Sequence, residues 1–348
     1  MPIVLPLSAI GRSHLGNPGL GSASDVEVSM MRKPVNIPLE EGAVFVLGAG
    51  FSRTVGLPLM NELLERSVPE DMIEVVRYLG GFGPDRDMSI EDFLTVCDFE
   101  DALRLGGGED NVSYLMSFAA DIANSMFKMR PAPEFWESVV NLLDRAGTII
   151  SLNWDTLLEI QARALGRPIV YKGRCSRDAT KVLKLHGSID WYQESRVGSL
   201  ADHDFFARLF RGYVRYRPFT EEENFARVPQ QFADLFNRVA PVIVSPTHLK
   251  AVPAGPLRQI WLQAYHALAR ASDVIIIGYS MPPSDHLIRL LLQRSIRYQQ
   301  LLGFEEAPRI TVVDPDSTGV VADRYAEVFG NDFRLVQRPF LDTRYTGT

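Results

Sequence analysis

The sequence has little cysteine and no long apolar run. Cys97 and Cys175 are the two cysteines among its 348 residues, which excludes a zinc site built from four cysteines. Two thiols far apart in sequence are typical of reduced cysteines in a cytoplasmic protein. No segment approaches the roughly 18 apolar residues that a membrane-spanning helix needs. The N-terminal residues also lack the basic region and the cleavage site of a signal peptide. The sequence therefore predicts a cytoplasmic protein without a membrane segment.

An excess of positive charge is also missing. The net charge of -7 at pH 7 argues against binding of the whole chain to nucleic acid or anionic lipid. One local exception is the stretch 205–217, where arginines interleave with aromatic residues, a pattern that can stack on nucleic acid. Three glutamates follow at 221–223, so a subunit interface or a lid over a ligand crevice is favoured there. Contact with nucleic acid stays open.

Apolar runs that alternate with helical patterns predict the fold class. Continuous apolar runs of this kind are typical of parallel strands buried on both faces. Strands that alternate with helices indicate an α/β fold with a Rossmann-like, doubly wound parallel sheet. The predicted strands cover 43–47, 148–151, 182–185, 242–245, 273–277 and 309–313, and the predicted helices cover 134–144, 156–165, 256–269, 287–301 and 319–329.

Two stretches are too long to be simple crossovers between strands. Residues 57–146 look almost wholly helical, and residues 190–240 look helical and irregular, with many aromatic residues and arginines. We expect both to form a helical subdomain inserted beside the sheet. Residues 1–41 are rich in glycine, serine and proline, which predicts a flexible leader or an arm that docks on another subunit. The ligand-binding domain is then expected at 42–340.

A glycine-rich loop follows the first strand. It reads Gly48-Ala49-Gly50-Phe51-Ser52, and Gly56-Leu57-Pro58 then opens a helix. Glycines suit a sharp turn whose backbone approaches a pyrophosphate, and N–H groups at the start of a following helix can hold the anion. However, Arg53 stands where the dinucleotide fingerprint has its third glycine, and the Lys-Ser/Thr pair of a P-loop is missing. A tight turn without a ligand is the alternative explanation of this loop.

Polar residues also follow the other predicted strands. Ligands of open α/β sheets bind outside the carboxyl ends of the strands, so such residues on several strands predict one shared site. Helix capping is the alternative explanation of Asn153 and Asp155. A satisfied buried histidine is the alternative for His186, and a simple strand end is the alternative for Asp314. The complete set is Asn153, Asp155, His186, Gly278, Tyr279, Ser280 and Asp314.

Together these motifs resemble the sirtuin superfamily. They occur in the same order as in sirtuins, over roughly residues 43–330. The resemblance is greater to the sirtuin-like NAD hydrolases of bacterial antiphage defence than to the deacylases. The motifs are the glycine loop with Gly56-Leu57-Pro58, then Asn153-Trp154-Asp155, then Lys184-Leu185-His186-Gly187-Ser188, and then Gly278-Tyr279-Ser280.

Three departures separate this chain from the sirtuin deacylases. The four-cysteine zinc ribbon that follows their His-Gly motif is missing, and residues 190–240 replace the segment that shapes their acyl-peptide groove. Leu59-Met60-Asn61 stands in place of their Asp-Phe-Arg. The resemblance therefore implies an NAD crevice without zinc, and it does not extend to peptide deacylation.

The resemblance also implies roles for the residues around the crevice. Asn153 would fix the nicotinamide ribose and the attacking water, and His186 would act as general base, since a neutral imidazole accepts a proton. Asp155 would line the nicotinamide pocket and contact the carboxamide. The other predicted NAD-binding residues are Gly48, Ala49, Gly50 and Ser52 at the phosphates, and Gly278, Tyr279, Ser280 and Asp314 on the adenosine half.

Three functions of this chain are compatible with the sequence. The first is an enzyme that hydrolyses NAD to nicotinamide and ADP-ribose, as an NAD-depleting effector that a trigger or partner activates. The second is a non-catalytic sensor or scaffold that binds NAD or ADP-ribose, which would need neither Asn153 nor His186. The third is a deacylase or ADP-ribosyltransferase, which the missing zinc ribbon disfavours. The resemblance further implies a homo-oligomer and a second defence protein such as an ATPase.

Overall fold

The computed structural model describes residues 34–40, 42–83, 88–103, 111–176, 178–193, 216–218, 241–243, 255–301 and 307–347. The strands are β1 Val35–Leu39, β2 Val44–Leu47, β3 Thr148–Ser151, β4 Ile169–Val170, β5 Thr180–Lys184, β6 Gly187–Gln193, β7 Tyr216–Pro218, β8 Pro241–Ile243, β9 Asp273–Ile277, β10 Arg309–Val313, β11 Arg334–Val336 and β12 Thr343–Gly347. The helices are α1 Ala49–Arg53, α2 Met60–Ser67, α3 Glu70–Leu79, α4 Ile90–Leu103, α5 Asn111–Lys128, α6 Pro133–Arg145, α7 Leu157–Ala164, α8 Gly255–Leu268, α9 His286–Leu301 and α10 Val320–Phe329.

Seven of these strands form one parallel sheet in the order β11-β10-β9-β2-β3-β5-β4. From β2 the chain adds strands on one side, through β3 and β5, and then crosses to the other side to add β9, β10 and β11. This is the strand order of a doubly wound Rossmann-like sheet. The predicted α/β fold is confirmed, and the strand order reverses between β2 and β9.

Apolar clusters cover both faces of the sheet. On β2, Phe45 and Leu47 belong to the cluster that contains the helical residues between β2 and β3, whereas Val44 and Val46 face the cluster formed with α8, α9 and α10. Successive side chains of a strand point to opposite faces. Burial on both faces is therefore the reason that β2 and β9 read as unbroken apolar runs.

Between β2 and β3, the regular elements that the structure describes are all helices. Helices α2 to α6 pack into the same apolar cluster as Phe45 and Leu47, with Phe93 and Phe118 completely buried. The predicted helical insertion beside the sheet is confirmed in this part of the chain. The loop after β2 differs from the prediction, because residues Ala49–Arg53 already form a short helix before Gly56.

Two expectations for residues 190–245 are wrong in the parts that the structure describes. The predicted parallel strand 242–245 is instead β8, which pairs antiparallel with β6 in a separate three-stranded sheet, β7-β6-β8. A short apolar run does not reveal the direction of its partner strand. Residues 191–193 and 216–218 are strands and not helices. The arginine and aromatic stretch up to residue 215 lies outside the described residues.

Strands β1 and β12 pair in parallel, in a small two-stranded sheet. The side chain of Tyr345 in β12 packs edge-on against Phe45 of β2, with ring centroids 4.9 Å apart. Asn141 of α6 bonds both the N–H and the carbonyl oxygen of Tyr345. The sequence predicts neither strand, and β1 lies within the segment 1–41 expected to be a leader. Residues 1–33 of that segment lie outside the described residues.

Across the parts of the chain that the structure describes, no helix is both long and apolar enough to cross a membrane.

Candidate functional site

A cavity of about 670 Å³ opens at the carboxyl ends of the central strands. This volume lies within the range of small-molecule and cofactor sites. The cavity lies where the loops after β2 and β9 meet, which is the point of strand-order reversal and the usual ligand position in open α/β sheets. All the site residues that the sequence predicts line it: Gly48, Ala49, Gly50, Ser52, Asn153, Asp155, His186, Gly278, Tyr279, Ser280 and Asp314.

The wall of the cavity that comes from the helical insertion is mostly apolar, with Ser89 and Glu91 as its polar residues. The sequence analysis does not predict the apolar residues of this wall as part of the site, because their side chains look like ordinary helix-packing positions. They give the cavity one polar wall along the strand ends and one mostly apolar wall across from it. The apolar residues are Leu57, Pro58, Leu59, Met60, Leu63, Ile90 and Ile122.

Glycines at the floor of the cavity allow two loops to touch. A Cβ atom on Gly48 would lie 2.6 Å from the Gly278 carbonyl oxygen, and one on Gly50 would lie 2.8 Å from the Gly278 Cα. Gly278 has φ +59°, and a Cβ there would lie 2.3 Å from the Phe51 nitrogen. The structure therefore explains these glycines by the contact between the loops after β2 and β9, in addition to any approach of a phosphate.

Backbone hydrogen bonds join the same two loops. The Gly48 N–H donates to the Ile277 carbonyl at 3.0 Å, and the Gly50 N–H donates to the Gly278 carbonyl at 2.8 Å. The Phe51 N–H donates to the Gly48 carbonyl at 3.0 Å within the loop. These N–H groups shape the loop. A phosphate held by Gly50, as the sequence predicts, would have to share the N–H group with Gly278.

Two hydrogen bonds donated by its side-chain amide nitrogen hold Asn153 in place. Its Nδ2 donates to the Gly48 carbonyl oxygen and to Ser52 Oγ, both at 2.9 Å. The Ser52 hydroxyl in turn donates to Asp155 Oδ2 at 2.6 Å. With both amide hydrogens engaged, the amide oxygen of Asn153 is the part that can accept a hydrogen bond from a ligand or a water molecule.

Asp155 connects this network to helix α7. It is buried, and its Oδ1 accepts a hydrogen bond from the N–H of Leu157, the first residue of α7, at 3.1 Å. The helix-end contact that was the alternative explanation of Asp155 is therefore present, together with the bond from Ser52. A carboxylate has lone pairs for both contacts and for a further donor.

His186 is half-buried in the turn between β5 and β6 and lines the cavity. Residues 184–189, the histidine segment, contact residues 152–156, the asparagine segment. The Ser188 hydroxyl donates to the Trp154 carbonyl at 3.3 Å, and the Ile189 N–H donates to the same oxygen at 3.0 Å. The backbone that carries His186 is thus bonded to the backbone that carries Asn153.

Aromatic and acidic side chains form the other end of the cavity. The Tyr279 hydroxyl donates to Asp285 Oδ2 at 3.0 Å, and the Tyr325 hydroxyl donates to the Tyr279 carbonyl at 2.7 Å. Burial raises the pKa of Tyr279 well above its usual value, and the Asp285 charge adds to this, so its hydroxyl stays protonated. Partial burial also raises the pKa of Asp314, whose Oδ1 accepts the Asp316 N–H at 2.9 Å.

Several polar residues of the site are absent from the sequence-based prediction. Asp285 and Arg324 line the cavity, and Arg324 Nη1 donates to the Ser280 carbonyl at 3.2 Å. Asp285 directly precedes α9, where a helix cap is the ordinary explanation of an aspartate. Lys184 is completely buried beneath the asparagine segment. Its signal in the sequence is a charged residue at the end of an apolar strand.

The described residues contain no group of three or more histidine, cysteine, aspartate or glutamate side chains that could hold a metal ion. The carboxylates that line the cavity are those of Glu91, Asp155, Asp285 and Asp314, and Arg324 contributes a positive charge to the lining.

No protein-family model matches this chain, and no match is found among curated proteins. Solved sirtuin structures are similar over 86% of this chain. Sir2Tm bound to a propionylated peptide is 13% identical with TM-score 0.44 over 89% of that chain. A Sir2 homolog–NAD complex is 16% identical with TM-score 0.44 over 86% of that chain, and Sir2 bound to acetylated peptide is 14% identical with TM-score 0.44 over 89%. The sequence identities and TM-scores are low. The fold class follows from the strand order of the sheet, and the candidate site follows from the residues that line the cavity.

Proposed function

We propose that this chain binds NAD in the cavity at the carboxyl ends of β2 and β9 and hydrolyses the bond between nicotinamide and its ribose. The observation that carries the proposal is the convergence of the sequence-predicted residues on one cavity at the point where the strand order reverses. Residues from five separate stretches of the chain meet there, which a chance set of turn and capping residues would not do.

The reaction converts NAD and water to nicotinamide, ADP-ribose and a proton. The glycosidic C–N bond breaks, nicotinamide leaves with the bonding electrons as a neutral molecule, and the water oxygen forms the new bond to the ribose. Because nicotinamide leaves from a cationic state, no strong general acid is needed. The enzyme must hold the ribose, stabilise the positive charge that develops and position the water.

In this proposal Asn153 and His186 are the catalytic residues. The Asn153 oxygen accepts a hydrogen bond from the nicotinamide ribose or the attacking water, while its nitrogen is held by Gly48 and Ser52. His186 accepts the proton that the water loses. Asp155, buried beside Ser52, helps to stabilise the positive charge on the ribose and can accept a hydrogen bond from the carboxamide.

The rest of the cavity is proposed to hold the remainder of NAD. Ala49, Gly50 and Ser52, with Gly48 at the floor, would lie at the phosphates. Asp314 would accept hydrogen bonds from the adenosine ribose hydroxyls, as an acidic residue at the end of a strand does in dinucleotide sites. The proposed contacts on this half are Gly278, Tyr279, Ser280 and Asp314.

A non-catalytic NAD or ADP-ribose sensor is the second candidate. The cavity suits it equally, but pure binding does not need a histidine whose backbone is tied to that of an asparagine. A deacylase or ADP-ribosyltransferase is the third candidate. The four-cysteine zinc ribbon of the sirtuin deacylases cannot form in this protein, since the whole chain contains two cysteines.

We further propose the biological setting that the resemblance implies. The protein would act in the cytoplasm as an NAD-depleting effector of antiphage defence, as a homo-oligomer held inactive until a trigger arrives. A second defence protein such as an ATPase is the proposed partner. The leader 1–41 and the helical insertion 57–146 are the proposed places for such contacts.

The test follows nicotinamide and ADP-ribose by chromatography after incubation of the full chain with NAD. We expect the two products in equal amounts, and we expect His186→Ala and Asn153→Ala to lower the rate at least about 100-fold while NAD binding by calorimetry persists. His266→Ala is the matched control, because His266 is exposed on α8. NAD binding without any cleavage, with the candidate partner present, would favour the sensor. Cleavage only with an acetylated peptide would favour the deacylase.

A further inference from the structure

Lys184 is a buried charge that the proposed chemistry does not use. It is the last residue of β5, its side chain is 1% exposed, and the preceding Val182 and Leu183 are completely buried. Burial of an ammonium ion costs several kcal/mol unless other groups compensate the charge. The contacts of the Lys184 ammonium group therefore indicate what this residue holds in place.

The ammonium group points at the asparagine segment. Lys184 Nζ donates to the Asp155 carbonyl oxygen and lies 3.5 Å from the Trp154 carbonyl oxygen. These are the carbonyl groups of the two residues that follow Asn153. Ser188 and Ile189, at the other end of the histidine segment, donate to the Trp154 carbonyl as described above. Both ends of the histidine segment thus donate hydrogen bonds to the residues that follow Asn153.

Acidic and phenolic groups occupy other sides of Lys184. The Glu159 carboxylate of α7 lies 3.4 Å from Nζ, and the Tyr171 hydroxyl donates to the same carboxylate at 3.3 Å. Asp190 of β6 is also buried nearby and interacts with Glu159 through its charge. Burial raises the pKa of Glu159 to about 7, with Lys184 opposing the shift. The ion pair is therefore partly neutralised near pH 7, whereas backbone carbonyls do not titrate.

We propose that Lys184 is a positioning residue that fixes the asparagine segment to the histidine segment through the carbonyls of Trp154 and Asp155. It would keep Asn153 and His186 in a constant relative position during the reaction. Its effect on catalysis rests on the proposed function, whereas its effect on the order of the asparagine segment does not. A misplacement of about 1 Å in a catalytic group can cost on the order of 100-fold in rate.

The test compares three variants of the full chain. Lys184→Met keeps the aliphatic side chain and removes the ammonium group. The double variant Glu159→Gln with Lys184→Met also removes the counter-charge, so that it folds if the single variant does not. Lys181→Met is the matched control, because Lys181 lies on the same strand and its Nζ donates to the Gly173 carbonyl, at a more exposed position.

We expect both Lys184 variants to lower kcat for NAD cleavage by about 10- to 100-fold with KM changed less than about threefold. Hydrogen exchange at the backbone amides of residues 152–158 should become faster, because the Trp154 and Asp155 carbonyls lose the ammonium donor that holds this segment. Lys181→Met should change neither quantity. Wild-type kcat and wild-type exchange in the Lys184 variants would overturn the proposal, as would a raised KM with unchanged exchange. If the wild type releases no nicotinamide even with the candidate partner present, the proposed function fails, and hydrogen exchange alone decides the role of Lys184.

Discussion

At the scale of single residues, the site depends on polar side chains that hold one another through hydrogen bonds. Ser52 shows this: its oxygen accepts from Asn153 and its hydrogen is donated to Asp155. Because Ser52 is buried, loss of the hydroxyl leaves the partly buried Asn153 amide and the buried Asp155 carboxylate without this partner. The hydroxyl that the resemblance assigns to the phosphates is thus engaged in holding Asn153.

Ser52→Ala should therefore weaken both the fold and the catalysis. We expect a loss of about 1–3 kcal/mol in the free energy of unfolding, measured by urea denaturation. We also expect kcat for NAD cleavage to fall roughly tenfold, since Asn153 loses one of its two anchors. Thr54→Ala is the control, because the Thr54 hydroxyl donates to the Gly50 carbonyl at an exposed position. Equal effects of the two changes would contradict this role for Ser52.

The buried Glu159 gives a pH dependence of stability with a definite sign. Burial raises its pKa from 4.5 to about 7 in the folded chain. Between these values the folded chain keeps a proton that the unfolded chain has released, so the contribution of Glu159 is complete below about pH 4.5 and is lost as the pH rises through about 7. Glu159→Gln cannot titrate and removes this contribution.

We therefore expect the free energy of unfolding of the wild type, relative to Glu159→Gln, to fall by about 2–3 kcal/mol from pH 5 to pH 8. Urea denaturation at several pH values measures it. Glu137→Gln, at an exposed position of α6, controls for the loss of a carboxylate in general. A difference that does not change with pH would show that folding leaves the pKa of Glu159 unchanged, and a difference that rises with pH would show that folding lowers it.

At the scale of elements, the central strands and the polar residues after them could be predicted, and other elements could not. Unbroken apolar runs such as 273–277 reveal strands buried on both faces, and polar residues directly after them mark the carboxyl edge. The pairing of β1 with β12 is invisible to such reasoning, because the partner strand lies at the opposite end of the described chain. The direction of β8 depends in the same way on β6.

The apolar wall and Lys184 were missed for a different reason. Met60, Leu63 and Ile122 have the pattern of ordinary packing residues, and only the three-dimensional structure shows that their helices face the cavity. For Lys184 a signal did exist, since a charged residue closes the apolar run Val182-Leu183. A charged residue at a strand end can equally be solvated, so the sequence alone does not separate the two situations.

Substitution of Gly278 tests the contact between the two loops. Gly278→Ala would place a Cβ 2.3 Å from the Phe51 nitrogen at a residue with φ +59°. Gly330→Ala is the matched control, because Gly330 has φ +66° but nothing lies within 4 Å of its Cβ position. Both variants carry the cost of a side chain at a positive φ, and Gly278→Ala alone adds the clash.

We expect the free energy of unfolding of Gly278→Ala to be lower than that of Gly330→Ala by about 2 kcal/mol or more, and NAD binding to be lost in Gly278→Ala alone. Calorimetric unfolding and NAD titration measure the two effects. Equal stability and equal NAD binding of the two variants would mean that the loops can separate without consequence.

At the scale of the whole molecule, the path of the chain creates the cavity. The chain leaves β2 at its carboxyl end and must enter the neighbouring β3 at its amino end, so the insertion begins above the carboxyl edge of the sheet. Its helices then form the apolar wall opposite the strand ends. The crossing from β5 to β9 places the Gly278 loop beside the Gly48 loop, which completes the site.

The most direct test of the central claim is a crystal structure of the His186→Ala chain grown with NAD, since this variant should bind NAD without cleaving it. We predict intact NAD in the cavity, with its nicotinamide ribose within hydrogen-bond distance of the Asn153 oxygen and its adenosine ribose at Asp314. NAD bound elsewhere, or with its two ends reversed so that nicotinamide lies at Asp314, would contradict the account.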